Sequence, residues 1–279
     1  MSLSTTAIKP DSNQQNTPSS YTMQELMICA ASRELVDSEV VFVGIGLPNV
    51  ACNLAKRTHA PNLTMIYESG AIGTFPERLP LSIGDPALVT SSLSICSLND
   101  VFNLYLQGGR IDVGFLGGAQ VDRFGNINST IIGEDYHHPK VRLPGSGGAC
   151  EIAAHAKRLM IVLPQTKRSF PEKVDFMTSP GFLEGSGARE KAGLKGQGPQ
   201  VVITDKGLYR PCPETQELML VALHPDVTLE EVQETLGWTV KTSETITETQ
   251  PPTSDELMVL REHLGFGKKS KGQKNGGEC

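Results

Sequence analysis

VVFVGIGLPNVACNLAKRTHAPNLTMIYESG, residues Val40 to Gly70, is the stretch that decides the architecture. Val40-Val41-Phe42-Val43 is a continuous apolar run, short and β-branched, as a parallel strand buried on both faces requires. Gly44-Ile45-Gly46-Leu47 turns the chain, Pro48 suits a first helical position, and Val50, Ala51 and Leu54 carry a helix. Leu63 to Tyr67 is a second apolar run. It is closed by Glu68 and by Ser69-Gly70-Ala71-Ile72-Gly73, a turn too rich in glycine to extend it. The unit is β-α-β, with a right-handed crossover expected. Ligands of open α/β sheets bind at the carboxyl edge of the strands, so this ending places the Glu68 carboxylate where chemistry is done.

The same pattern continues on both sides. Thr22 and Glu25 form a capping-box signature ahead of Met23, Leu26, Met27, Ala30 and Ala31, which recur at helical spacing. Ile111 to Leu116 reads as a strand closing on Gly117-Gly118, and Asp122 to Asn126 has the turn chemistry to lead into Ile127 to Ile132 as a hairpin. Gly148 opens a helix over Ala149 to Ala154, and Leu159 to Leu163 supplies the next strand. Val201 to Ile203 and Leu218 to Leu223 are further strands, and Thr228 with Glu231, then Thr253 with Glu256, repeat the capping signature. The expectation is an α/β fold, a mostly parallel open sheet flanked by helices, in one domain over residues 21–265. Residues 1–20, rich in Ser, Thr, Asn, Gln and Pro, and the lysine-rich residues 266–279 are expected to be disordered tails. No repeat of 20–50 residues is visible, which excludes solenoids and propellers.

A net charge of −6 argues against a nucleic-acid footprint, which calls for a basic face. Cys29, Cys52, Cys96, Cys150, Cys212 and Cys279 include no close pair, so they read as reduced and mostly buried thiols, not as a zinc knuckle or redox motif. Neither a secretory leader nor a run of about 20 apolar residues is present, and a cytoplasmic location is expected.

Gly44-x-Gly46, followed by an acidic residue at Glu68, imitates a dinucleotide fingerprint, but Asn49 stands in the place of the third glycine. The turn is then either a tight strand-to-helix connection or a loop whose amides approach another ligand. Ser69 and Ser146 lack the G-x-S-x-G elbow of a serine nucleophile. Asp135-Tyr136-His137-His138 has metal-ligand letters, but adjacent histidines in a strand point to opposite faces, so no metal site is expected. A carboxylate can attack an acyl thioester when donors stabilise the oxyanion and water is kept from the anhydride. Glu68 is the candidate nucleophile. Gly148, at a helix start within Gly145-Ser146-Gly147-Gly148-Ala149, is the candidate amide donor, and Gln120, in Gly117-Gly118-Ala119-Gln120, is either a polar contact at the cleft rim or an ordinary turn residue.

These residues resemble a known family, the class I coenzyme A transferases, and in particular their B (beta) subunits of the glutaconate CoA-transferase type. The likeness rests on Val41 to Pro48, Ala60-Pro61, Glu68 to Gly70, Gly117 to Asp122, Gly125 to Thr130, Asp135 to Lys140, Gly145 to Ala149 and Thr178 to Gly181, and it spans residues 21–237. It implies the CoA-transferase, or NagB-like, fold and a ping-pong reaction. The glutamate matching Glu68 would attack an acyl-CoA, passing through a glutamyl anhydride and then a glutamyl-CoA thioester. It further implies Gly148 as oxyanion donor, with Gly44, Gly46, Ser69, Gly117, Gly118, Ala119, Gln120 and Gly147 lining the CoA and acyl cleft. No cofactor is permanently bound, coenzyme A is a substrate, and a separate A (alpha) subunit is an obligate partner. A short dicarboxylate such as glutaconate is the expected acid. Relatives that hydrolyse or decarboxylate CoA esters typically replace this glutamate, so its retention favours transfer. The alternatives are a CoA-ester hydrolase or decarboxylase, or a non-catalytic ligand-binding subunit.

Overall fold

The computed structural model describes residues 20–267. The chain begins with helix α1 (Met23–Arg33), strand β1 (Val40–Val43), α2 (Leu47–Arg57), β2 (Thr64–Tyr67) and β3 (Ala71–Ile72). Then come α3 (Pro86–Thr90), β4 (Ser94–Ile95), α4 (Leu98–Asp100) with a π-helical turn over Val101–Leu106, and β5 (Val113–Leu116). Two small hairpins follow, β6 (Gln120–Val121) with β7 (Ile127–Asn128) and β8 (Ile131–Ile132) with β9 (Val141–Arg142), before α5 (Ala149–His155) and β10 (Arg158–Val162). Helix α6 (Ala188–Lys191), strands β11 (Pro199–Ile203), β12 (Gly207–Pro211) and β13 (Leu218–Leu223), α7 (Leu229–Glu234), β14 (Lys241–Glu248) and α8 (Ser254–Met258), with a second π-helical turn over Val259–His263, complete it.

One ten-stranded sheet organises the chain, in the order β14-β13-β12-β11-β10-β5-β1-β2-β3-β4. Its centre, β11-β10-β5-β1-β2, is parallel throughout, as the apolar runs predict. Antiparallel pairings extend it on both sides, through β12 at one flank and β3 and β4 at the other. Alternation of side chains then divides the core. Val41, Val43, Met65 and Tyr67 pack with α1, α2 and Leu257 and Leu260 on one face. Phe42 and Ile66 pack with Val101, Leu106 and Ile152 on the other.

The three expected capping boxes are formed, at Thr22 with Glu25, Thr228 with Glu231, and Thr253 with Glu256. Two of these glutamates also join the ends of the chain: Arg261 Nε donates to Glu25 at 2.6 Å and Arg33 Nη2 to Glu256 at 2.6 Å. The Arg261 guanidinium holds the Glu25 carboxyl below its usual range. The run Ile127 to Ile132 is not one strand, because Asn128 turns inward to Gln120 and Ile131, and its two ends join different hairpins. The thiols also differ from expectation. Cys29 and Cys52 are buried, which pushes both thiols up, whereas Cys96, Cys150 and Cys212 are half-exposed. The expected tails and Cys279 lie almost wholly outside the described residues; Phe266, at the inner end of one, packs against the core. No helix among the described residues is long and apolar enough to cross a membrane.

His224 locks the last strand to the sheet. Its Nε2 donates to the Thr204 carbonyl at 2.7 Å, and its Nδ1 accepts from the Thr249 hydroxyl at 3.0 Å. Burial pushes its pKa below the ordinary value, against the opposing pull of the Thr204 bond and Asp205. The unfolded chain takes up that proton near pH 6.5, before the folded chain does, so stability is full above that pH and declines as the pH falls through it. Thermal unfolding should therefore show a midpoint that drops between pH 7 and pH 5.5, and His224→Gln should flatten that dependence.

Candidate active site

Because β10, β5, β1 and β2 are neighbours and mutually parallel, the residues that follow them emerge along one edge of the sheet. Those are the Leu163 loop, Gly117, Gly44 and Glu68. Glu68 is aimed by its neighbour. Tyr67 is fully buried and its hydroxyl donates to Asn49 Oδ1, while Asn53 Nδ2 donates to the Asn49 carbonyl at 2.9 Å and Arg57 Nη1 to Asn53 Oδ1 at 2.7 Å. Arg57 Nη2 then reaches the Pro76 carbonyl at 2.6 Å, beyond the turn. With Tyr67 held toward α2, alternation sends Glu68, half-buried, toward the opposite face.

On that face begins α5. It seats on β5 where Gly114 leaves no room for a side chain: a β-carbon there would lie 2.5 Å from Ile152 Cγ2. The helix is also gripped by Arg189, whose Nη1 donates to the Gly181 carbonyl at 2.8 Å and whose Nε donates to that of Gly196 at 2.6 Å, with Nη2 on the Ala153 carbonyl of α5. Burial lowers the Arg189 pKa to about 10, so it keeps its charge at neutral pH. The N-cap of α5 is Gly148. A β-carbon at Gly148 would stand 3.5 Å from Glu68 Oε1 and 2.5 Å from Phe102 Cζ, so the carboxylate, this glycine and the Phe102 ring meet at one point. Gly148 N–H has no backbone acceptor among the described residues.

The other candidates are spread along the same edge. Gly44 and Gly46 are exposed, and Gly46, at φ 96°, is the N-cap of α2. Ser69 is exposed in the turn after Glu68, and Gly147 is exposed with open space around it. Gly117 is exposed at the end of β5. Gly118 and Ala119 are occupied by the fold: a β-carbon at Gly118 would meet Ile127 Cγ2 at 2.4 Å, and Ala119 N–H donates to the Asn128 carbonyl at 2.9 Å. Gln120 is buried, and its Oε1 accepts from Asn128 Nδ2 at 2.7 Å and from Asp175 N–H at 3.0 Å. His137 and His138 lie exposed in a loop, not in a strand.

Several shared motifs build the scaffold of the glycine loop. Gly145 N–H donates to the Ser129 carbonyl at 2.8 Å, Leu143 N–H to that of Thr130 at 3.0 Å, and the Thr130 and Thr178 hydroxyls share a bond of 2.7 Å. Asn126 Oδ1 accepts from Gly181 N–H at 2.9 Å. Phe102 carries no signal in the sequence. It lies on the π-helical turn and meets Phe42 edge-on with ring centroids 5.7 Å apart; nothing in its local sequence marks that contact.

The family profile described as Coenzyme A transferase matches residues 24–235. The chain is 49% identical to the B subunit of the 3-oxoadipate CoA-transferase of Pseudomonas knackmussii, over 93% of this chain and all of that one. It is 37% identical to the B subunit of the glutaconate CoA-transferase of Acidaminococcus fermentans, over 88% of this chain and 94% of the other. The crystal structure of glutaconate coenzyme A-transferase from that organism matches with a TM-score of 0.82, covering 88% of this chain and 95% of the matched chain. An acyl-CoA transferase structure from Escherichia coli O157:H7, 20% identical and sharing the fold at a TM-score of 0.63, is spanned over only 46% of its length, whereas 90% of this chain is covered.

Two substitutions test the geometry. Gly70 has φ 102°, and a β-carbon there would fall 1.9 Å from the Cys96 carbonyl oxygen. Gly70→Ala should therefore destabilise the chain by several kcal/mol in denaturant unfolding, well above the roughly 1 kcal/mol of a typical substitution. Gly148 has φ −82°, so alanine fits its backbone and only the Phe102 ring obstructs it. The stability lost in Gly148→Ala should be partly restored by adding Phe102→Leu, a coupling of about 1 kcal/mol or more in a double-mutant cycle.

Proposed function

This chain belongs to the coenzyme A transferase family, and on that premise we propose that Glu68 is acylated in each turnover, while the chain acts as the B subunit of a two-subunit transferase. The Glu68 carboxylate attacks the thioester carbonyl of an acyl-CoA, giving a mixed anhydride and CoA thiolate. The thiolate attacks the glutamyl carbonyl, forming a glutamyl-CoA thioester and freeing the first acid. An incoming carboxylate attacks that thioester, and the expelled thiolate takes the acyl group from the new anhydride, regenerating Glu68. The observation that carries this reading is the meeting of Glu68 Oε1 with Gly148, whose N–H has no backbone acceptor among the described residues. A donor held there can stabilise an oxyanion on the attacked carbonyl. The Phe102 ring beside it excludes water from an anhydride that water would destroy.

The acid exchanged is a short dicarboxylate. The motifs of the sequence favour glutaconate; the 49% identity to a 3-oxoadipate enzyme puts 3-oxoadipate first, and both are dicarboxylic acids. Glu68→Gln keeps the shape of the side chain and removes the nucleophile. In the complex with its A partner it should lower transfer by about 10³-fold or more while acyl-CoA binding persists. Full activity in that variant, or release of free acid or carbon dioxide without an acceptor, contradicts the reading.

The A subunit covers the β4 side of this edge. The two outer strands of the sheet differ: β14, KTSETITE, turns Ile246 to the core and is otherwise polar, whereas Leu93 and Ile95 on the β4 side are 84% and 52% exposed, with Leu81 and Leu98 exposed in the same segment of the chain. An uncovered apolar edge is an association surface, and this one lies within the segment that follows Glu68. Leu93→Asp with Ile95→Asp should abolish co-purification of the A subunit, while the thermal midpoint of the isolated chain stays within a few degrees. An intact complex would place the partner elsewhere.

A further inference from the structure

The loop leaving β10 carries a pair of cations that the steps at Glu68 do not use. Lys167 and Arg168 stand on the wall of a cavity of about 540 Å³ together with Gln120 and the apolar Ile132, Val141 and Leu143. Among the described residues they are the only charged ones on that wall, and neither has an ion-pair partner there. Four other cavities of the chain each carry at least one carboxylate. On a chain of net charge −6, two unpaired cations facing one cavity mark a place for an anion.

The loop is held rigid. Ser169 Oγ donates to the Pro164 carbonyl at 2.9 Å, Thr166 N–H donates to Ser169 Oγ at 2.9 Å, and Val121 N–H of β6 donates to the Ser169 carbonyl at 2.8 Å. Gln120 is rigid as well. It is only 6% exposed, it lines the same cavity, and two donors claim its Oε1, while no described residue accepts from its Nε2, which keeps its protons for a ligand.

Distance identifies the anion. From β10 through β5 and β1 to β2 are three strand spacings, roughly 14 Å. That is too far for the second carboxylate of a short acid whose first is at Glu68. It suits the pantetheine arm, which separates a thioester from the phosphates of CoA. Resting on the transferase reading, we infer that Lys167 and Arg168 bind the phosphate-bearing end of the CoA substrate, with Gln120 Nε2 donating to the arm between. Arg168 offers a planar fork to a phosphate and Lys167 a point charge, and binding energy gained there can be used at the thioester.

Calorimetric titration of the A–B complex with CoA and with pantetheine, which lacks the nucleotide, tests this. K167A/R168A should weaken CoA binding by about 10–100-fold and flatten its salt dependence, while pantetheine affinity moves less than twofold. The charge-conserving K167R/R168K should keep most of the CoA affinity. Unchanged CoA affinity in K167A/R168A, or an equal loss for both ligands, overturns the inference. The readout is binding, so its failure is distinguishable from a failure at Glu68: a fully active Glu68→Gln complex would defeat the acylation reading without altering the contrast between CoA and pantetheine.

Discussion

Burial of Tyr67 is the constraint from which the rest of this edge follows. A phenol placed among Met65, Val43 and α2 must find a partner for its hydroxyl, and Asn49 supplies it. Desolvation drives the pKa of that hydroxyl upward, so it remains a neutral donor. Once the side chain is fixed on that face, the next residue has to leave toward the other, where Phe102 and the start of α5 lie. A charged side chain thereby reaches a half-buried position without being part of the core. Asn49, Asn53 and Arg57 extend the restraint to Pro76 and hold both sides of the turn.

The glycines around the carboxylate answer to different demands. Gly70 yields to the passing Cys96 backbone, Gly114 to α5, Gly118 to the β6–β7 hairpin, and Gly148 to Phe102 with Glu68 beside it. Gly148 alone has the carboxylate as a neighbour. The ordered motifs that carry the family resemblance thus serve two ends. Glu68-Ser69-Gly70 and Gly145 to Ala149 bring the Glu68 carboxylate beside the N-cap of α5, while Gly125 to Thr130 and Thr178 to Gly181 fasten the loop that contains Gly148.

Much of this was legible in the residues. The β-α-β unit from Val40, the three capping boxes and the position of Glu68 after a strand all rest on local rules, and local rules survive folding. What escaped is non-local. β12, Gly207–Pro211, includes glycine and proline and acquires strand form only by pairing between β11 and β13. β14 is polar except for Ile246 because it is an outer strand, so hydropathy does not mark it. Phe102 reaches Gly148 across a long sequence separation, and Arg189, a charged residue, is buried against four carbonyls. None of these contacts leaves a trace in the neighbouring sequence.

The central claim is that one carboxylate becomes covalently acylated between two sheet-edge loops. Its most direct test is to incubate the A–B complex with an acyl-CoA, quench with hydroxylamine and map the product by peptide mass spectrometry. The account predicts a hydroxamate on Glu68, formed only when acyl-CoA is present. Turnover with that peptide unmodified, or with the label on another residue, would contradict it.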